Sequence, residues 1–465
     1  MKKIFKSYFF PCLYLLVFLG FRVEEAASDS IVDVCSAGEI SICNLSPEEQ
    51  LQAVSPVASQ TMIMHFVAQQ NLSNVREQMQ DRRSDDPNFR GGSPPKDNLD
   101  SASAPNSGDS DKEQSFSFAT DVGDDSANAS FFFNATYSNS EQNDQTKNIG
   151  FDSSGYDIME GADYLPSETL VLGAAIDVGD DSANASFFFN ATYSNSEQND
   201  QTKNIGFDSS GYDIMVGADY LLSETLVLGA AISASEENTD FNGNLGGQDI
   251  SLVTLSAFVN VYLSENLYLD GLVAYSDGEL KGERDTPYDG IETIAESDTD
   301  ISIISAATTL GYDWVTAEWQ FSSFGRLEYT ENTVDAYSEF VNDFNAGRGL
   351  IVEKQDGVGF LETAVGSSVS RIASLSNGVL VTTVDLEWVY RHDGDSSSVN
   401  AVIEAISDRS FEIEGSKIES DYFNAGLSLS ATYANGLSAF LSMQALLGDS
   451  EFSRQAYTAG MRWDF

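Results

Sequence analysis

The chain has 465 residues and sets 23 Lys and Arg against 73 Asp and Glu, a formal charge of −50 that argues against nucleic-acid binding, since phosphate contacts need basic side chains. Hydrophobic residues make up 42% of it and aromatics 11%, which separates it from a disordered acidic tail. Two histidines and three cysteines leave little material for histidine-based catalysis or a Cys/His metal site, so neither an enzyme nor a cofactor is expected.

Lys2, Lys3 and Lys6 precede an apolar run from Tyr8 to Phe21, followed by the small residues Ala26, Ala27 and Ser28. Residues 1–27 therefore read as a secretory signal peptide whose apolar core is too short for a membrane anchor. No lipobox surrounds Cys12. After export the short segment 28–45 keeps Cys35 and Cys43, which are candidates to pair in an oxidising compartment. No later run of apolar residues is long enough for a membrane helix, so a chain that enters a membrane does so as strands.

Residues 46–83 open with Ser46-Pro47-Glu48-Glu49, a capping box with Pro at the first helical position. Leu51, Val54, Ala58, Met62, Phe66, Val75 and Met79 then recur mostly at spacings of three and four, which predicts an amphipathic helix, with an interruption possible at Pro56. Arg76, Arg82 and Arg83 lie toward its C-terminal end. Residues 84–120, rich in Ser, Asp, Pro, Gly and Asn, read as a flexible linker. Residues 121–176 and 177–232 are one segment written twice, differing where Glu160 faces Val216 and Pro166 faces Leu222.

From about 183 onward the period becomes two. Leu437, Ala439, Leu441, Met443, Ala445 and Leu447 make one apolar face, as do Phe423, Ala425, Leu427, Leu429, Ala431 and Tyr433, and Val253, Leu255, Ala257, Val259, Val261 and Leu263. Twelve such segments fit near 183–196, 211–221, 225–235, 249–263, 266–276, 300–314, 318–331, 357–373, 378–392, 419–433, 437–447 and 454–465. Even-to-odd joins are tight, as at Ser264-Glu265-Asn266 and Asn435-Gly436, whereas odd-to-even joins are mostly long and acidic. A soluble sandwich has no reason to sort loops by parity; an outer-membrane barrel does. Tyr220, Tyr262, Trp314, Trp319, Tyr433 and Phe465 beside the short turns, and Tyr212, Tyr275, Tyr329, Trp388 and Tyr390 toward the long loops, are candidates for two interfacial girdles. The fold class expected is thus all-β, a twelve-stranded antiparallel transmembrane β-barrel preceded by the helix. The second repeat copy should supply the wall: three more strands would make an odd count, and Glu160 would put a carboxylate where Val216 faces lipid.

Gly217-Ala218-Asp219-Tyr220-Leu221-Leu222-Ser223-Glu224-Thr225-Leu226-Val227-Leu228-Gly229-Ala230-Ala231, Phe324-Gly325-Arg326-Leu327-Glu328-Tyr329 and the closing Ala459-Gly460-Met461-Arg462-Trp463-Asp464-Phe465 resemble the autotransporter β-domain of type V secretion. The resemblance covers 183–465 and extends to 46–83, which is similar to that family's pore helix. It implies a helix threaded through a twelve-stranded barrel with a passenger upstream. Tyr457, Ala459, Met461, Trp463 and Phe465 resemble the terminal signal read by barrel-assembly machinery. In that setting 28–45 is a vestigial passenger, and the linker with 121–176 is longer than the family's usual connection. Some members cut their passenger beside paired asparagines; no Asn-Asn occurs here, so no such cleavage is expected.

On the inferred lumenal face sit Asp213, Asp219, Asp270, Arg326, Glu328, Glu362, Asp385, Glu387, Arg391 and Arg462, facing either pore water or the helix arginines. His392-Asp393 is the one pair resembling a catalytic dyad, against a solvated loop residue as the plainer reading. Asn238 to Gly243 with Asp249 echoes a calcium loop, against a plain flexible loop. The 277–299 stretch, with Asp277, Glu279, Glu283, Asp285, Asp289, Glu292, Glu296 and Asp298, reads as an acidic loop that repels anions. The function expected is a Gram-negative outer-membrane translocator that displays its N-terminal segment; the alternative is an adhesin or passive channel in which barrel and loops are the functional unit. Expected partners are outer-membrane lipid, barrel-assembly machinery, periplasmic chaperones and host or surface ligands, with a monomeric barrel.

Overall fold

A computed structural model describes residues 29–30, 47–85, 185–201, 204–223, 225–285, 294–316, 318–341, 349–392, 398–404, 410–415, 420–433 and 436–464. The signal peptide, the Cys35 and Cys43 pair, nearly all of the linker, the repeat copy 121–176 and Phe465 lie outside the described residues.

In chain order come β1 (Asp29–Ser30), the helix α1 (Pro47–Asp85), β2 (Ala185–Gln198), β3 (Phe207–Ser223), β4 (Leu226–Phe241), β5 (Gly246–Tyr262), β6 (Leu267–Asp285), β7 (Ile294–Val315) and β8 (Trp319–Val334). Then follow β9 (Tyr337–Ser338), β10 (Phe340–Val341), β11 (Leu350–Val352), β12 (Gln355–Leu375), β13 (Gly378–Arg391), β14 (Ser398–Ile403), β15 (Ser410–Glu414), β16 (Asp421–Tyr433), β17 (Leu437–Leu447) and β18 (Phe452–Asp464). Strands β2 to β8, β12, β13 and β16 to β18 pair antiparallel in sequence, and β18 returns to β2 with Asp464 opposite Ser186, closing a twelve-stranded ring. Each expected segment supplies one strand, and the second repeat copy builds β2, β3 and the first part of β4. Closure leaves the wall without a sheet edge, which a membrane requires.

Alternation sorts the two faces. On β5, Gln248, Thr254, Ser256 and Asn260 are buried inward while Val253 and Leu255 stand exposed on the outside. The outward residues of β7 run from Ile304 through Leu310 and Tyr312 to Trp314. Eleven residues inclined at roughly 40° climb about 25 Å, the height of an outer-membrane apolar band. Small inward residues let neighbouring rings lie across the strands: Phe258 covers Gly229 and Phe440 covers Gly460, where any Cβ would collide with the ring. Leu441, 61% exposed at mid-band, is a test of the outer face. Leu441→Arg should lower stability in lipid by roughly 2–4 kcal/mol; an unfolding midpoint equal to that of the native chain would contradict the lipid-facing assignment.

Three expectations change. Tyr262 does not join the outer girdle: it is 7% exposed and packs inward with Val227 and Tyr268, because its position shares the parity of Asn260. The acidic 277–299 stretch is mainly wall, not loop, since β6 continues to Asp285 opposite Ile294 of β7. Its inward residues Leu280 and Ala295 are buried, and Asp277, Glu279, Glu283, Glu296 and Asp298 point outward just where the apolar band ends. The calcium-like spacing is a hairpin, with Asn238 opposite Asp249 and a single turn at Asn242–Asn244 in which Gly243 has φ +72°. Burial, then the Glu236 and Asp240 carboxylates, raises the Asp249 pKa.

Candidate functional site, the occupied lumen

The helix α1 runs as one piece through Pro56, 39 residues or about 58 Å. Its C-terminal end lies at the short-turn end of the barrel, where β2 begins, and its N-terminal end reaches the long-loop end. The single apolar stripe expected of it is absent. From Val54 to Met79 residues on all sides are buried, including Ser59, Gln60, Thr61, Asn71 and Asn74. A helix enclosed by a wall has no solvent face for an amphipathic pattern to mark.

At the short-turn end two of the three helix arginines find lumenal carboxylates. Arg82 lies 2.9 Å from Asp464 and 3.5 Å from Asp219, and Arg83 pairs with Asp270 while stacking 4.0 Å above the Tyr268 ring. Arg462 of the closing strand donates to Asp219 at 2.6 Å and lies 3.1 Å from Asp464. Higher up, Arg76 pairs with Glu328, and Arg326 holds Glu387 through two bonds of 2.9 Å. Bidentate pairs of this kind fix geometry as well as charge.

The polar flank of α1 continues the network without charge. Asn74 donates to Asp213 at 2.6 Å, Gln78 to Asn190 at 2.6 Å, Asn71 to Thr254 at 3.1 Å and Ser73 to Gln444 at 3.0 Å. Near the long-loop end Glu362 accepts from Gln69 at 2.5 Å and from Arg391 at 3.0 Å, with His65 3.4 Å away and stacked on Phe360. Asp385 lines a cavity of about 150 Å³ left between α1 and the Ser- and Thr-rich faces of β12, β13, β16 and β17. Thus each carboxylate and arginine expected in the lumen faces it, and Asp385 shares the cavity with Asp270, Arg326 and Glu387. The helix partners Asn71, Asn74, Gln78 and His65 escaped sequence reasoning, although the run of Gln and Asn from Gln69 to Gln80 is a visible signal for an enclosed polar helix.

The long loops close the other end. Between the barrel strands, β9, β11, β14 and β15 form a small sheet in the order β15, β14, β11, β9, to which β1 adds in parallel with Ser30 opposite Glu412. With the upper wall this sheet encloses an apolar core that includes Leu350, Val399, Ile403 and Phe411, and into it go Val54, Val57, Met62, Ile63, Met64 and Phe66 of α1. Arg284 and Glu339, each 3% exposed, lock the cap to the wall at 2.5 Å. Burial, then the Glu339 carboxylate, pushes the Tyr337 phenol well above its ordinary range, and its hydroxyl accepts from Gln60 at 2.9 Å. His392 is exposed and bonds Thr363 Oγ1 at 2.7 Å; Asp393 lies outside the described residues. Tyr457, Ala459, Met461 and Trp463 all take outward positions on β18.

The Autotransporter beta-domain family model matches residues 187–444. The translocator domain of the autotransporter NalP from Neisseria meningitidis is 16% identical, over 61% of this chain and 90% of that one, with a TM-score of 0.48. The beta domain of the Bordetella autotransporter Brka is 13% identical over 61% of this chain and 100% of that one, TM-score 0.44. The transport unit of the Escherichia coli autotransporter AIDA-I is 12% identical over 62% and 93%, TM-score 0.42. No curated protein sequence matches the chain. A family match across more than half of the residues, on a twelve-stranded barrel, means that the chain belongs to the autotransporter β-domain family, the outer-membrane barrels of translocator type.

Proposed function

We propose that the barrel carries the chain's own N-terminal segment across the outer membrane and keeps it displayed at the cell surface, with the long-loop end outward. One observation carries the reading: α1 threads the lumen with its N-terminal end at the opposite end of the barrel from Ala185 and Asp464, so what precedes the helix is delivered to the far side. Assembly machinery and periplasmic chaperones would deliver the barrel to lipid, and the displayed face would meet host or surface ligands. No catalytic step is part of this proposal. The passive-channel alternative fits poorly with a lumen filled by a helix and capped by an apolar core. An adhesin reading keeps one supporting observation, the folding of the long loops into a common sheet that a ligand could meet.

An epitope inserted after residue 45 tests the display. On intact cells it should be labelled by antibody and removed by added protease, while the heat-modifiable barrel survives. An epitope that becomes accessible only after the outer membrane is permeabilised would refute the proposed orientation.

A further inference from the structure

The helix α1 changes character once along its length, and the lumen changes with it. From Val54 to Ala68 the buried side chains are mainly apolar, and the rows facing them are too, among them Phe207, Phe241, Ile250, Leu252, Ile301 and Ile303. From Gln69 to Arg83 most side chains are polar, and the wall answers with Asn190, Asp213, Thr254, Asp270, Glu328 and Gln444, while Leu72, Val75 and Met79 pack on one apolar patch around Phe188, Met215 and Phe258. The two changes meet around Glu362, which faces His65 of the upper half and accepts from Gln69, the first residue of the lower.

Sliding the helix destroys this match in either direction. One turn toward the long-loop end, about 5.4 Å, draws Arg82 and Arg83 away from Asp219, Asp464 and Asp270, and Leu72, Val75 and Met79 away from their apolar neighbours Phe188, Met215 and Phe258. One turn the other way drops Val67 to the level of Asn71, among Thr254 and Ser235, and hollows the cap around Met64, which is 0% exposed where it sits. Buried polar groups without partners and apolar groups pulled into a polar lumen are both costly, so a single axial position satisfies both halves.

We propose that this matched polarity step is a retention device: it arrests the outgoing chain at one register and then holds the helix, with everything upstream of it, without needing the covalent link to β2. Its role in display rests on the surface reading above, but the retention itself is a property of the purified molecule. The partner recognised by the lumen is a helix of mixed axial polarity, apolar ahead and basic behind, and the one occupant it fits here is α1.

The test uses the full chain with a protease recognition sequence inserted between residues 86 and 184, cut after purification in mild detergent. The N-terminal fragment should co-elute with the heat-modifiable barrel and separate only when the barrel unfolds. Met64→Asp, in the apolar half, and the double substitution Arg82→Ala/Arg83→Ala, at the opposite end, should each release the fragment at least tenfold faster. If Met64→Asp does not yield a folded barrel, the arginine pair, which leaves the apolar core untouched, decides alone. A native fragment that leaves a folded barrel on cutting, or variants that retain it as well as the native chain, would overturn the device. Because the assay is done on purified protein, an inaccessible epitope on cells would refute display while leaving this result standing.

Discussion

Deleting residues 54–80 should turn a closed barrel into a conducting one. Nine side chains of α1, from Val54 to Ala68, belong to the apolar core beneath the cap. Fully burying a Val, Ile, Met or Phe side chain contributes about 1.5–3 kcal/mol, so losing the seven larger than alanine, roughly 10–20 kcal/mol together, matches the 5–15 kcal/mol that typically separates a folded domain from its unfolded chain. The cap sheet, whose strands are two to six residues long, cannot replace that area from within. The wall differs, because its strands pair with one another around the ring and its outer face is held by lipid. The deletion variant should therefore stay heat-modifiable, while single molecules in planar bilayers rise from a closed baseline to the steady conductance of a water-filled pore. A folded deletion variant that stays silent would show that the cap seals the mouth by itself.

The second large effect is expected at Arg462. Its side chain is 0% exposed and is shared between Asp219 and Asp464, with a further bond to the Gln78 carbonyl at 3.4 Å. Arg462→Met leaves Asp219, 1% exposed, with Arg82 at 3.5 Å as its remaining cation among the described residues. Removing one partner of a buried pair costs about 3–5 kcal/mol, chiefly because the other charge is stranded. Removing both should cost much less, so Arg462→Met/Asp219→Asn should recover a good part of the loss. Urea unfolding of the single and double variants in detergent measures this. Additive losses, with no recovery in the double variant, would mean that the two side chains do not depend on each other.

Much of this molecule is legible before any coordinates. Period-two alternation and the sorting of loops by parity locate all twelve wall strands, because a side chain's face follows from its parity once the outside is lipid. The lumenal carboxylates and arginines follow from the same rule. Two features are hidden for physical reasons. The acidic stretch after Tyr275 reads as loop because its outward positions are charged, yet that face has merely left the apolar band while Leu280 still packs inward. The helix pattern misleads in the opposite way: Val54, Ala58, Met62 and Phe66 suggest one buried face, but the intervening Ser59, Gln60, Thr61 and His65 are buried as well. Nor does sequence join β1, β9, β11, β14 and β15, which are two to six residues long and separated by long stretches of chain.

Enclosure of α1 on every side also bears on how far the parts of this protein can be exchanged. An ordinary surface helix can be grafted between proteins because half of its positions answer only to water. Here, positions from Val54 to Met79 answer to a particular wall residue or cap residue, and the wall residues in turn answer to them. Helix and barrel are therefore one inherited unit with two chain segments. A chimera that joins a foreign cargo upstream of Pro47 keeps the unit whole, whereas one joined anywhere between Val54 and Arg83 pairs a lumen with a lining it was never fitted to.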